Sequence, residues 1–88
     1  MWTDSEIKGK ILHKLVRFGK FKHSHTAIEH LKSGFPCDMA GYVKEMVKEL
    51  IKEGILFVKY TNYGVHVSIN SENKERIMYY IETFMKKE

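Results

Sequence analysis

Met39-Ala40-Gly41-Tyr42-Val43-Lys44-Glu45-Met46-Val47-Lys48-Glu49-Leu50-Ile51-Lys52-Glu53-Gly54 runs straight into Ile55-Leu56-Phe57-Val58-Lys59-Tyr60 and, after Thr61-Asn62-Tyr63-Gly64, into Val65-His66-Val67-Ser68-Ile69-Asn70. In the first part Met39, Val43, Met46, Val47, Leu50 and Ile51 return every three or four positions, which predicts a helix over 39–53 with Gly54 as its stop. The next two parts are rich in β-branched and aromatic residues and flank a turn-forming quartet, so they read as a hairpin. With a loop of even length, Leu56, Val58 and Tyr60 share one face with Val65, Val67 and Ile69. Phe57, Lys59, His66 and Ser68 then take the other.

Upstream of this stretch, Ser33-Gly34 ends a brief helix and Phe35-Pro36-Cys37-Asp38 makes a turn, with Asp38 placed to cap the helix that follows. The brief helix opens on Thr26-x-x-Glu29, a capping-box pattern, and shows Ala27, Ile28 and Leu31 on one face. Before it, Lys20-Phe21-Lys22 has room for a minimal strand. The first helix runs from Thr3 to Phe18 and also opens on a capping box, Thr3-Asp4-Ser5-Glu6. Its Ile7, Ile11, Leu15 and Phe18 form a stripe that Leu12 and Val16 widen, an arc broad enough for two neighbours, and Gly19 stops it. Downstream, a last helix from Ser71 to about Lys86 carries an apolar stripe of Ile77, Tyr80, Ile81, Phe84 and Met85. Glu72 sits at its electrostatically favourable end.

The resulting order, helix, minimal strand, helix, turn, helix, hairpin, helix, predicts an α+β and mainly helical fold. It matches a winged helix-turn-helix of three helices and a β-hairpin wing, with an added C-terminal helix. The chain also resembles small archaeal winged-helix proteins to which a regulatory role is ascribed. The resemblance is carried by Lys22-His23-Ser24-His25-Thr26, Gly34-Phe35-Pro36, Val47-Lys48-Glu49-Leu50-Ile51-Lys52-Glu53-Gly54 and Tyr63-Gly64. It covers 22–70, and much of it is structural pattern. It implies that the exposed start of the third helix enters the major groove of duplex DNA while the hairpin tip touches phosphate or minor groove. On this chain those positions are Ala40, Gly41, Lys44 and Lys48, with Lys59, Asn62 and Tyr63 on the hairpin. The groove-facing turn lacks the Arg, Asn or Gln that read base edges, so phosphate contacts carry most of the implied binding.

The chain has 88 residues, 43% hydrophobic and 30% charged, with a net charge of +4. This fits a single folded domain over 1–88, with a core in 3–70 and a C-terminal helix in 71–87, and excludes a disordered polyampholyte. No apolar run is long enough for a membrane span, and the N-terminus lacks the order of a signal peptide, so a cytoplasmic protein is expected. Frequent lysine and isoleucine with a single proline is a composition seen in thermophilic archaea. The one cysteine, Cys37, excludes an internal disulfide and a zinc site built on paired cysteines. As a thiol it reads as a small buried turn residue or as one acidified by the third helix's N-terminus. No nucleophile with a base, glycine-rich phosphate loop or paired carboxylates appears, so neither an enzyme nor a cofactor is expected.

Charge on the third helix falls into two ladders, Lys44, Lys48 and Lys52 beside Glu45, Glu49 and Glu53. The lysines either face phosphate, releasing counterions, or pair with the glutamates as Glu45–Lys48 and Glu49–Lys52 on a solvated face. Lys8, Lys10, Lys14, Arg17, Lys20 and Lys22 offer either a backbone clamp or ordinary solubilising charge. His23, His25 and His30, with His13, have the types but not the partners of a metal site, so no metal is expected. A second function class also fits. Trp2, Phe57, Tyr63, Tyr79 and Tyr80 exceed the needs of a three-helix core, which suits a protein-docking module using the hairpin and the C-terminal helix. That last helix can also pair with a second copy, and a homodimer would address two DNA half-sites.

Overall fold

The capping box at the first helix forms as its sequence predicts. The Glu6 amide donates to Thr3 Oγ1 at 3.2 Å, and the Thr3 amide donates to Glu6 Oε1 at 2.8 Å. It opens α1, Asp4–Arg17, in a computed structural model that describes residues 2–21 and 24–87. After α1 come β1 (Thr26–Ala27), two short 3-10 turns (Ile28–Lys32 and Cys37–Met39) and α2 (Ala40–Lys52). The hairpin follows as β2 (Leu56–Thr61) and β3 (Gly64–Ile69), then a 3-10 turn, Ser71–Asn73, and α3 (Lys74–Lys87). The protein is therefore α+β and mainly helical, with three helices and one three-stranded antiparallel sheet, in the order β1-β3-β2, among the described residues. Among the described residues, no helix is long and apolar enough to cross a membrane.

The hairpin keeps the expected register. Leu56 faces Ile69, Val58 faces Val67, and Tyr60 faces Val65. Its loop is shorter than the quartet, because Thr61 pairs with Gly64 and leaves only Asn62 and Tyr63 between the strands. Thr61 closes the turn by donating its hydroxyl to the Gly64 carbonyl at 2.8 Å and accepting from the Tyr63 amide at 3.1 Å. Both loops are even in length, so the pattern of faces survives the change.

Three local expectations are corrected. Thr26 does not cap a helix. It pairs with Val67 as a strand residue, its hydroxyl meets His30 Nδ1 at 3.2 Å, and the following Ile28–Lys32 winds as a 3-10 turn capped by no side chain. Five residues between a strand and the Gly34 turn give little room for α-helical hydrogen bonds, and the tighter helix is the form used in such short pieces. The second correction concerns Asp38, which lies inside the Cys37–Met39 turn. The helix starts at Ala40, with Met39 in the cap position and no capping side chain. Cys37, in the same turn, is exposed. Third, the expected strand at Lys20-Phe21-Lys22 reduces to a bridge from Phe21 to Ile69, while Lys22 lies outside the described residues.

The core gathers Ile7, Ile11, Leu12 and Leu15 of α1, Val43, Met46, Val47 and Leu50 of α2, and Leu31, Val67 and Ile69. Ile55 just before β2, Leu56 within β2, and Ile77 and Tyr80 of α3 belong to it as well. Ile28 is half-buried and packs against this cluster, whereas Val58 is half-buried on the hairpin. On α3 the buried residues are Ile77, Tyr80 and Phe84, and Met85 is exposed, because it falls about 80° around the helix from Ile77, at the edge of the stripe. Trp2 joins the interior side, half-buried between the rings of Phe35 and Phe84 at 5.5 and 6.2 Å. The α2 end is tied to the turn before α3 at Gly54, which has a positive φ of 77° and whose carbonyl accepts from the Asn70 and Asn73 side-chain amides, 2.9 and 2.8 Å away.

The tightest packing joins α1 to α3 at Gly9. A Cβ there would stand 2.0 Å from the Tyr80 carbonyl oxygen and 2.7 Å from Phe84 Cβ, so backbone meets backbone and only hydrogen fits. Gly41, on the open side of α2, has nothing within 4 Å of the same point. The two glycines therefore respond oppositely to alanine. Gly9→Ala should destabilise by roughly 2–3 kcal/mol, as overpacking outweighs the gain in helix propensity, and Gly41→Ala should stabilise by up to about 1 kcal/mol. Urea denaturation of both variants checks the pair, and equal shifts would contradict this packing.

Candidate nucleic-acid interface

The buried positions of α2 fix what the helix shows to solvent. With Val43, Met46, Val47 and Leu50 inside, Gly41, Lys44, Glu45, Lys48 and Lys52 point outward and are exposed, and Ala40 is half-buried at the start of the helix. At about 100° per residue, Lys44, Lys48 and Lys52 lie to one side of the outer face and Glu45, Glu49 and Glu53 to the other. The glutamate side is the side nearer α1 and α3, and there the expected pairing within the helix gives way to pairing across helices.

Lys8 of α1, only 7% exposed, makes ion pairs with Glu49 Oε1 and Glu53 Oε2, each at 2.9 Å. Glu53 also accepts a hydrogen bond from the Tyr80 hydroxyl at 2.6 Å and one from Arg76 Nη2 on α3. Burial alone would push the Lys8 pKa down, but the bonds from Glu49 and Glu53 outweigh it and hold the ammonium well above its ordinary range. Burial alone would raise the Glu53 pKa, yet the bonds from Tyr80, Lys8 and Arg76 pull it below the usual 4.5. Glu49 thus turns to Lys8 rather than Lys52. Of the anticipated pairs within α2 only Glu45–Lys48 forms, at 3.7 Å and in solvent, where such pairs are worth little.

Lys10 and Lys14 of α1 likewise have partners within the molecule. Lys10 donates to the Gly34 carbonyl at 2.5 Å and sits over the rings of Phe35 and Trp2, 4.9 and 5.2 Å from their centroids. Lys14 donates to the carbonyls of His30 and Ser33 at 2.7 and 3.1 Å, and burial, helped by Lys10, lowers its pKa. These side chains fasten the 28–35 segment to α1. Arg17 stays at the surface, over the Phe18 ring.

At the hairpin, Asn62 and Tyr63 are exposed at the tip, Tyr63 at 92%, and Tyr60 is exposed as well. Lys59 is exposed on the face opposite Tyr60, opposite His66 in the register, so it belongs to a different surface from Tyr60. The candidate residues therefore divide. Ala40, Gly41, Lys44 and Lys48 share the open start and outer face of α2, Asn62 and Tyr63 share the tip, and Lys59 joins the outer face of the sheet.

On that outer face His25 and His66 meet, Nδ1 to Nδ1 at 3.0 Å. Their separation in sequence hid this pair, and no spacing rule would have found it. The Glu53 hub was hidden for the same reason, since Lys8, Glu53 and Arg76 come from three helices. Among the described residues no three of His, Cys, Asp and Glu gather to hold a metal, and His23 lies outside those residues. No protein-family model, curated protein or solved structure matches this chain.

The Glu53 hub has a pH signature. Because its folded pKa is lowered, the stability Glu53 contributes is present above its ordinary value of 4.5 and is lost as pH falls through the lowered one. Glu53→Gln should cost roughly 2–3 kcal/mol at neutral pH, and the gap to the unmodified protein should narrow at a pH well below 4.5. Chemical denaturation at the two pH values measures this, and a gap independent of pH would contradict it.

Proposed function

We propose that this chain is a winged-helix domain without catalytic activity that binds duplex DNA as a transcriptional regulator, using the outer face of α2 and the tip of the hairpin. One observation carries the reading. The carboxylates that would repel a phosphate backbone are held elsewhere, Glu49 and Glu53 by Lys8 and Glu53 again by Arg76, while Lys44, Lys48 and Lys52 stay exposed. The outer side of α2 thus carries three ammonium groups, while Glu45 lies beside Lys48 and Glu49, still 47% exposed, has its charge offset by Lys8. Gly41 adds an open backbone at the start of the helix, where a groove wall can approach. Asn62 and Tyr63 supply a polar and an aromatic side chain at the tip, suited to sugar and phosphate. With no Arg, Asn or Gln on the exposed start of α2, base discrimination is weak and affinity comes mainly from counterion release.

A protein-docking module is the second reading, favoured by Met78, Tyr79 and Met85, which are exposed on the outer side of α3 at 51%, 60% and 52%. The same patch suits pairing with a second copy, which would set two α2 helices against two half-sites.

Lys44→Glu with Lys48→Glu should weaken duplex binding on all sequences alike and lower the salt slope by about one for each phosphate that is no longer neutralised. Stability should hold, since both side chains are exposed. Glu45→Gln should strengthen binding, whereas Glu49 is unsuited as a control because it pairs with Lys8. Fluorescence anisotropy at two salt concentrations reads these effects. Affinity unchanged by either substitution, or no duplex binding at low salt, would favour the docking reading.

A further inference from the structure

The outer face of the sheet has a constellation that the α2 surface does not use. His25 and His66 stand edge to face, with ring centroids 4.9 Å apart and planes at 82°, inside a concavity of about 320 Å³ that Phe57, Lys59 and Ser68 also line. An Nδ1–Nδ1 hydrogen bond needs one ring to donate its proton and the other to offer a lone pair, so the acceptor is neutral in this arrangement. A further proton at the free Nε2 of the donor ring leaves this bond in place and gives each ring an Nε2–H, whereas one at the acceptor's Nδ1 would set two N–H donors facing each other at 3.0 Å.

The charges around the pair decide what could receive those donors. Lys59 reaches it from β2, opposite His66 in the register, and Lys20 from the segment after α1. Among the described residues, no Asp or Glu lines the concavity. Partial burial, then Lys59, His66 and Lys20, accordingly keep the His25 pKa below its ordinary 6.5. An anion from outside would reverse each of the electrostatic effects. Phe57, 45% exposed at the rim, adds a ring surface of the kind on which a base stacks.

We propose that this concavity receives a backbone phosphate of nucleic acid and that filling it draws one proton from solvent onto the His25–His66 pair. The inference rests on the nucleic-acid reading above but uses a different surface. The phosphate oxygens accept from the two imidazole N–H groups and from Lys59, and the bound anion stabilises the protonated pair. Binding therefore tightens as pH falls.

The test measures affinity of the full chain for a 20-base-pair duplex between pH 8 and pH 5.5 at constant ionic strength. Uptake of one proton makes affinity rise by up to about tenfold per pH unit, and His25→Gln or His66→Gln should remove that rise. The Lys44→Glu, Lys48→Glu protein should keep it, though weaker at every pH. In the unmodified protein, NMR titration of the His25 and His66 ring protons should move to higher pH when duplex is present, a readout that does not depend on any variant folding. An unchanged pH slope in the histidine variants, or ring-proton titrations unmoved by duplex, would overturn this inference alone. Absence of duplex binding at every pH would overturn it together with the α2 reading.

Discussion

The close approach of α1 to α3 at Gly9 is the packing constraint on which the other features depend. Because hydrogen is the only substituent there, the α3 backbone settles against α1, and Tyr80 comes near enough to α2 to hydrogen-bond Glu53. Lys8, the neighbour of Gly9 in sequence, is buried in the same step and reaches Glu49 and Glu53 across the helix interface. The meeting of α1 and α3 thus sets the charge pattern of α2, the helix proposed to bind. A looser α1–α3 pair would leave Lys8 in solvent and Glu49 and Glu53 without its charge beside them.

The ion network centred on Lys8 and Glu53 is more than solvated decoration. These two charges are largely buried and costly to desolvate, and they are tolerated because Lys8 has two partners and Glu53 has three, while Glu49 and Arg76 stay about half exposed. The network specifies how the helices sit against one another, a role that apolar surfaces of many shapes would fill less selectively. It also separates the molecule's charge into inner cations that fasten the fold, Lys8, Lys10 and Lys14, and outer ones open to a partner, Lys44, Lys48 and Lys52.

The parts of this arrangement that were legible in the sequence are those that repeat at short range. The α2 stripe from Val43 to Leu50, the hairpin register and the capping box at Thr3 all depend on neighbours within a few residues, and all formed as expected. Thr26-x-x-Glu29 carries the same local signal as Thr3-x-x-Glu6, yet it yields a strand and a 3-10 turn, because pairing of Thr26 with Val67 competes for the same backbone. Lys10 and Lys14 of α1 escaped the sequence for a related reason. Their partners are carbonyls of His30, Ser33 and Gly34, groups present at every residue and therefore invisible as a motif. The candidate site was legible as a set of exposed residues on α2 and the tip, but the division that puts Lys59 with His25 and His66 needed the sheet.

Chemical-shift mapping of the amide resonances on addition of a short duplex tests the central claim most directly, since it locates the surface without altering a residue. The account predicts that the largest changes fall on Gly41, Lys44 and Lys48 of α2 and on Asn62 and Tyr63 at the hairpin tip. Changes confined to Met78, Tyr79 and Met85 of α3, or none anywhere at saturating duplex, would contradict it.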